Sequence, residues 1–143
     1  MEYTDGALKY NVISLANNLG GGQPTSVEEI PVKTLVDGNE YSVNKVTVEK
    51  AGMFVNVTVD GFTAMSPLSY GQKIKIAGGL PIPLFKYGDG MRFVGFLGVS
   101  MESAGMIDIV FQVDSQGILY IVPLGGNVRF ESSSGNFTYL CKS

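Results

Sequence analysis

The chain has 143 residues, a net charge of −3, 45% hydrophobic and 16% charged residues, 19 glycines, one cysteine and no histidine. That length is one domain's worth and can bury a core without disulfides or metal. The mild acidity, with no lysine or arginine cluster, argues against nucleic acid as a partner, and the lack of histidine removes Ser-His-Asp and Cys-His pairs together with the common zinc, copper and non-haem iron sites.

Taken in order, residues 1–26 differ from everything that follows. Leu8, Val12, Leu15 and Leu19 are spaced four, three and four apart, one stripe of an amphipathic helix, and Gly20 follows where a helix can end. A helix of about 13 residues is marginal alone in water, so the stripe must dock, either on its own domain or on a partner. Gly20-Gly21-Gly22-Gln23-Pro24 is a flexible tether that favours the second, an anchor arm of helical or extended form. This divides the chain into an arm and tether over 1–26 and a folded domain over 27–143.

The domain reads as strands. An edge strand is expected over 30–36 around Pro31, since proline cannot donate to a ladder. Asp37-Gly38-Asn39 is a turn. Over 41–49 the apolar phase shifts from Tyr41 and Val43 to Val46 and Val48, which predicts a bulge near Asn44 and Lys45. After a turn at Ala51-Gly52, Val55, Val57 and Val59 alternate with Asn56 and Thr58 over 53–59, a half-buried strand. Residues 72–76 alternate Lys73 and Lys75 with Ile74 and Ile76, and Gly78 to Pro83 interrupt regular structure. Residues 91–99 are apolar on both faces. The clearest hairpin spans 105–123: Ile107, Ile109, Phe111 and Val113 line one face, Asp114-Ser115-Gln116-Gly117 turns the chain, and 118–122 is again apolar on both faces. Val128 and Phe130, a turn at 132–135 and a closing strand over 136–141 complete about nine strands. Glycine content, few helix formers and this spacing predict an all-β fold, an antiparallel β-sandwich of jelly-roll type.

Chemistry is sparse. Asp108 and Asp114 flank the central strand and Glu28-Glu29 precede the first; glycosidase carboxyls must sit roughly 5–10 Å apart in a cleft, which this spacing does not imply. Asp108 reads as a solvated surface residue. Tyr87-Gly88-Asp89-Gly90 lacks the oxygens of a calcium loop and reads as a turn, and the glycine runs at 20–22, 78–79 and 125–126 match no phosphate-binding loop. Tyr70, Phe85, Tyr87 and Tyr120 read as core or subunit-contact aromatics rather than sugar platforms. Cys141, in phase with Phe137 and Tyr139, is expected in the core. No catalytic residue, metal or cofactor is expected. No signal peptide pattern and no apolar run near the roughly 20 residues of a membrane span are seen, so the chain is expected to be made in a cytoplasm, with no membrane partner.

The order Gly79-Leu80-Pro81-Ile82-Pro83, Phe93-Val94-Gly95-Phe96, Ile107-Asp108-Ile109, the turn at 114–117 with Leu119-Tyr120, and Phe137-Thr138-Tyr139-Leu140 resembles the C-terminal β-sandwich of bacteriophage fibre and receptor-binding proteins. The resemblance covers about 65 residues and its motifs are loose. It implies a homotrimer whose apolar sheet faces meet near a threefold axis, and the two strands apolar on both sides place the subunit contact at Val94, Phe96, Leu119 and Ile121. The short arm and compact domain look more like a head-fibre or capsid decoration protein than a tail fibre with a long shaft. That implies a virion protein made in the host bacterial cytoplasm and seated on the capsid, or another virion protein, through Leu8, Val12, Leu15 and Leu19. The alternative is a receptor-binding tip that grips host surface glycan.

Overall fold

Alternation of Val55, Val57 and Val59 with Asn56 and Thr58 builds a strand against which three others pair. The computed structural model describes residues 26–85, 90–99, 106–125 and 127–142. Among these residues ten strands run in chain order: β1 (Glu28–Ile30), β2 (Lys33–Thr34), β3 (Tyr41–Ser42), β4 (Lys45–Ala51), β5 (Phe54–Leu68), β6 (Ile74–Gly78), β7 (Gly90–Val99), β8 (Met106–Asp114), β9 (Leu119–Pro123) and β10 (Val128–Leu140). Among the described residues there is no helix. The expected anchor stripe of Leu8, Val12, Leu15 and Leu19, the tether at 20–24 and the turn at Tyr87 to Asp89 lie outside the described residues.

The fold is all-β, and every strand pairing is antiparallel. One sheet has the order β1-β4-β5-β10, with β3 also paired to β5, and the other the order β2-β6-β9-β8-β7. Val48, Val55, Val57, Phe62 and Phe130 of the first sheet and Ile76, Ile109, Phe111, Leu119 and Ile121 of the second belong to one buried cluster. Phe137 of β10 stacks on Phe93 of β7 at 4.7 Å and on Phe111 of β8 at 4.9 Å between ring centroids. Such ring pairs add about 0.5–1.5 kcal/mol each beyond the area they bury.

The hairpin expected at 114–117 forms. Asp114 Oδ1 accepts the backbone N–H groups of Gln116 (2.8 Å) and Ile118 (3.0 Å), and Gly117 takes a φ of 77°. A side chain at Gly117 would run into the backbone carbonyl of Leu80, whose own N–H donates to the Gly117 carbonyl at 3.0 Å. Glycine here serves both the left-handed turn and the close approach of a second chain segment.

Elsewhere the boundaries differ from expectation for identifiable reasons. The single edge strand expected over 30–36 is two, β1 in one sheet and β2 in the other, with Pro31 between them. The strand expected over 41–49 is broken rather than bulged: Asn44 donates its backbone N–H to Asp60 (2.8 Å), and its side chain fills the space that a Cβ on Gly61 would need. The strand expected to end near Val59 continues to Leu68, because Gly61 bends it at a φ of 69° without ending its pairing. The turn expected at 132–135 is absent; β10 runs through it with three register shifts against β5. One serine and one threonine hydroxyl hold this irregular stretch: Ser132 N–H donates to Thr63 Oγ1 (3.1 Å), Gly61 N–H to Ser134 Oγ (2.9 Å), and Ser134 Oγ to Asp60 Oδ1 (3.1 Å). The extra residues leave the ladder as bulges, with Ser132 at a φ of 40°, and the strand survives.

Gly117→Ala combines left-handed strain with the Leu80 clash, and is expected to lower unfolding free energy by about 2–3 kcal/mol. A urea denaturation midpoint unchanged from the parent chain would contradict this account of the turn.

Candidate functional site

The residues singled out by sequence do not come together. Leu119 and Ile121, expected at a subunit contact, are both fully buried inside the chain's own core. The reason is phase: on β9 they share the inward face, so their surface is already spent and a second copy finds none of it. Val94 and Phe96 are placed by backbone register, opposite Val110 and Ile109 with a bulge between, and their side chains lie outside the described residues. Asp108 is exposed, while Asp114 serves its turn and accepts the Tyr120 hydroxyl at 3.0 Å on Oδ2. The two are six residues apart on one strand, about 20 Å at the rise of an extended chain, twice the span of a glycosidase pair. Lys73 Nζ lies 5.5 Å from the Tyr120 ring centre.

Cys141 is buried, as expected. Burial pushes its thiol above the ordinary range, with Lys50 acting against that, and burial, seconded by Cys141, holds the Tyr139 hydroxyl well above the usual tyrosine value. Tyr139 donates that hydroxyl to the Pro81 carbonyl at 2.7 Å. These groups tie the segment after β6 to the end of β10, as do the hydrogen bonds from Leu84 N–H to Leu140 and from Lys142 N–H to Ile82, both 2.8 Å. A hollow of about 40 Å³ lined by Leu84, Asp114 and Lys142 lies beside this clip, far below the roughly 300 Å³ of a small-molecule pocket.

What the fold does assemble is a polar face on the outside of the first sheet. Register puts Glu29, Glu49, Asn56 and Thr138 in one row across β1, β4, β5 and β10, and Thr47, Thr58 and Asn136 in the next. Asn136 Nδ2 donates to Thr58 Oγ1 (2.8 Å) and Thr138 Oγ1 to Asn56 Oδ1 (3.2 Å), fixing these side chains in one arrangement. Phe54, half-buried, ends the face beside Leu140, its partner in register. Ordered amides and hydroxyls beside an aromatic edge offer alternating donors and acceptors to a polyhydroxylated ligand. The two alternations, Asn56/Thr58 and Asn136/Thr138, are visible in sequence. Their pairing, 78 and 82 residues apart, is not.

Apolar side chains remain exposed at both ends of β5. Met53, Leu84 and Phe85 lie at its start, where Cys141 N–H donates to the Met53 carbonyl and Leu84 N–H to Leu140; Tyr70 and Leu124 lie just past its end, where Gly71 N–H donates to Pro123, and Met65 is exposed within its last residues. Phe85 is 63% and Tyr70 71% exposed.

Among known proteins, no family model matches the chain and no curated protein is significantly similar to it.

The raised Tyr139 and Cys141 values set a sign for alkaline behaviour. A group whose folded value exceeds its unfolded one contributes stability that is lost as pH rises above the unfolded value, here 9.0 for cysteine and 10.0 for tyrosine. The thermal unfolding temperature is therefore expected to fall as pH rises from about 9 to about 11. Tyr139→Phe costs about 1–2 kcal/mol at pH 7 through the lost bond to Pro81, and melts with a shallower alkaline slope than the parent. Parallel slopes for the two proteins would show that Tyr139 is not the titrating group.

Proposed function

We propose that the chain is a non-enzymatic structural protein of a bacteriophage particle, a trimeric head-fibre or decoration subunit. In this reading residues 1–22 anchor it to the capsid, and residues 27–143 project as a jelly-roll-like β-sandwich. Two antiparallel sheets around one core support the sandwich, and the motif order from Gly79 to Leu140 supports the phage class by resemblance. The observation that carries self-association is the pair of exposed apolar ends. A lone chain leaves Met53, Leu84 and Phe85 in water, whereas a subunit contact of standard size takes about 800 Å² from each partner. With Leu119 and Ile121 occupied in the core, the contact moves to Leu84 and Phe85.

A second reading is favoured by the polar face: a receptor-binding tip that holds host surface glycan along Asn56, Thr58, Asn136 and Thr138, with Phe54 at one end. Such a face needs no cleft, since sugar hydroxyls pair with an ordered amide array from above.

Light scattering on the full chain is expected to give a trimer, and Phe85→Asp to lower the mass toward that of a single chain. A monomeric parent would end the trimer reading. Deleting residues 1–22 is expected to abolish binding to tail-free capsids while leaving the trimer intact; undiminished capsid occupancy would overturn the anchor. Should the shortened trimer bind host cells instead, and lose at least tenfold in glycan affinity on Asn56→Ala with Asn136→Ala, the receptor-binding reading replaces the first.

A further inference from the structure

One row of residues on the outer face of the first sheet is apolar from edge to edge. Ala51 of β4 pairs with Phe54 of β5, and Phe54 with Leu140 of β10. Val27 directly precedes Glu28, whose partner is Lys50, so it extends the row past Ala51 at the β1 edge. At the other edge Leu84 N–H donates to the Leu140 carbonyl at 2.8 Å and Pro83 bridges Cys141, so residues 82–84 run along the side of β10 away from β5. The next row, Glu29, Glu49, Asn56 and Thr138, is polar throughout. The middle of the apolar row is largely covered: Ala51 is buried, and Phe54 and Leu140 are half-buried. Its two ends are open, with Val27 and Leu84 each 37% exposed and the more exposed Phe85 following Leu84. Four strand spacings, about 19 Å, separate the ends.

We infer that each end of this row is covered by the opposite end of the same row in a second copy of the chain. The inference rests on the self-association proposed above and names the surfaces that meet. A closed ring of three copies needs a contact in which two different patches of one chain fit each other. Register supplies such a pair. Val27 and Leu84 stand at one height along the strands, so rotation about an axis parallel to the strands brings the Val27 end of one copy to the Leu84 and Phe85 end of the next without a shift along the axis.

Charge favours the same pairing. The exposed Glu28 and Glu29 follow Val27, and the exposed Lys142 lines the hollow that Leu84 also lines. Two other charges face these groups. Lys50, half-buried, is the register partner of Glu28, and Asp114 lines the hollow with Lys142 while accepting the Gln116 and Ile118 N–H groups and the Tyr120 hydroxyl. A two-fold contact would set Val27 against Val27 and bring the glutamates of both copies together, whereas the ring sets them beside Lys142. Glutamates on an edge strand also discourage a further ladder, so the contact is made by side chains. Joined at the row ends, the copies leave the polar rows of each first sheet uncovered, and every Ser26 lies at the same end of the ring.

The test uses the full chain carrying Val27→Cys and Leu84→Cys together. Within one chain the two positions are about 19 Å apart, and a disulfide spans at most about 7 Å between Cα atoms, so a bridge between them joins two copies. The native Cys141 is fully buried. Mild oxidation is expected to give a covalent three-chain species on a denaturing gel, and to leave each single variant unlinked. Dimers formed by Val27→Cys alone or Leu84→Cys alone would overturn the inference by showing a two-fold contact. Light scattering over a concentration series supplies a second measurement. Val27→Asp and Leu84→Lys are each expected to raise the midpoint concentration for assembly at least tenfold, and the two together to raise it less than either alone, because the new charges then face each other across the contact. Neither side chain belongs to the core cluster, and matched circular dichroism spectra verify that folded domains are being compared. An oligomer that persists without the bridge and without response to either charge overturns this contact and leaves self-association standing. A parent chain that is monomeric at every concentration overturns both.

Discussion

The two sheets are held face to face by a short stack of rings. Phe137 reaches from β10 to Phe93 on β7 and Phe111 on β8, with Tyr139 6.0 Å from Phe137 on the same strand. Each sheet is five-stranded, and neither can bury its apolar face without the other. The stack fixes where β10 crosses β7 and β8, and with it the phase of every strand. A slip of one residue in β10 would turn Phe137 and Tyr139 outward and bring Asn136 and Thr138 into the core.

Phase in turn decides what each surface offers. With Val55, Val57 and Val59 inside, the polar residues between them line up with those of β10, and the outside of the first sheet becomes an ordered amide and hydroxyl array. With Ile109 and Phe111 inside, Val110 and Gln112 are turned outward on the second sheet, where they are nonetheless covered. The two outer faces therefore differ in kind although they come from one alternating pattern. One is polar and open, the other apolar at its centre and closed, and exposed apolar side chains lie near both ends of β5.

Legibility in the sequence followed the range of the interactions. The hairpin at 114–117 could be read because its determinants are local: Asp114 caps backbone amides two and four residues on, and Gly117 supplies the left-handed position. The burial of Cys141 and the alternation of 55–59 were legible for the same reason. The break at Asn44, the bend at Gly61 and the continuity of β10 through 132–135 were not, because each depends on a partner far along the chain, Asn44 on Gly61 and Ser134 on Asp60. Strands 118–122 and 91–99 look alike in composition, and apolar residues on both faces suggested a contact between copies. The distinction between inward Leu119 and Ile121 and outward Val122 needed the register, which sequence does not carry. The polar face was hidden for the same reason, since its two halves lie on strands joined only by long-range pairing.

Two short edge strands stand between the N-terminal segment and the rest of the fold. β1 has three residues and β2 two, each at the edge of its own sheet. Any tension drawn through residues 1–25 arrives at these ladders before it reaches β4, β5 or the ring stack. Edge strands of that length hold only a few hydrogen bonds and can peel away one after another while the core stays closed. In mechanical terms these two strands are a fuse: a sharp pull on the chain that precedes them is spent on the part that can re-form, and the sheets behind feel a force already relaxed.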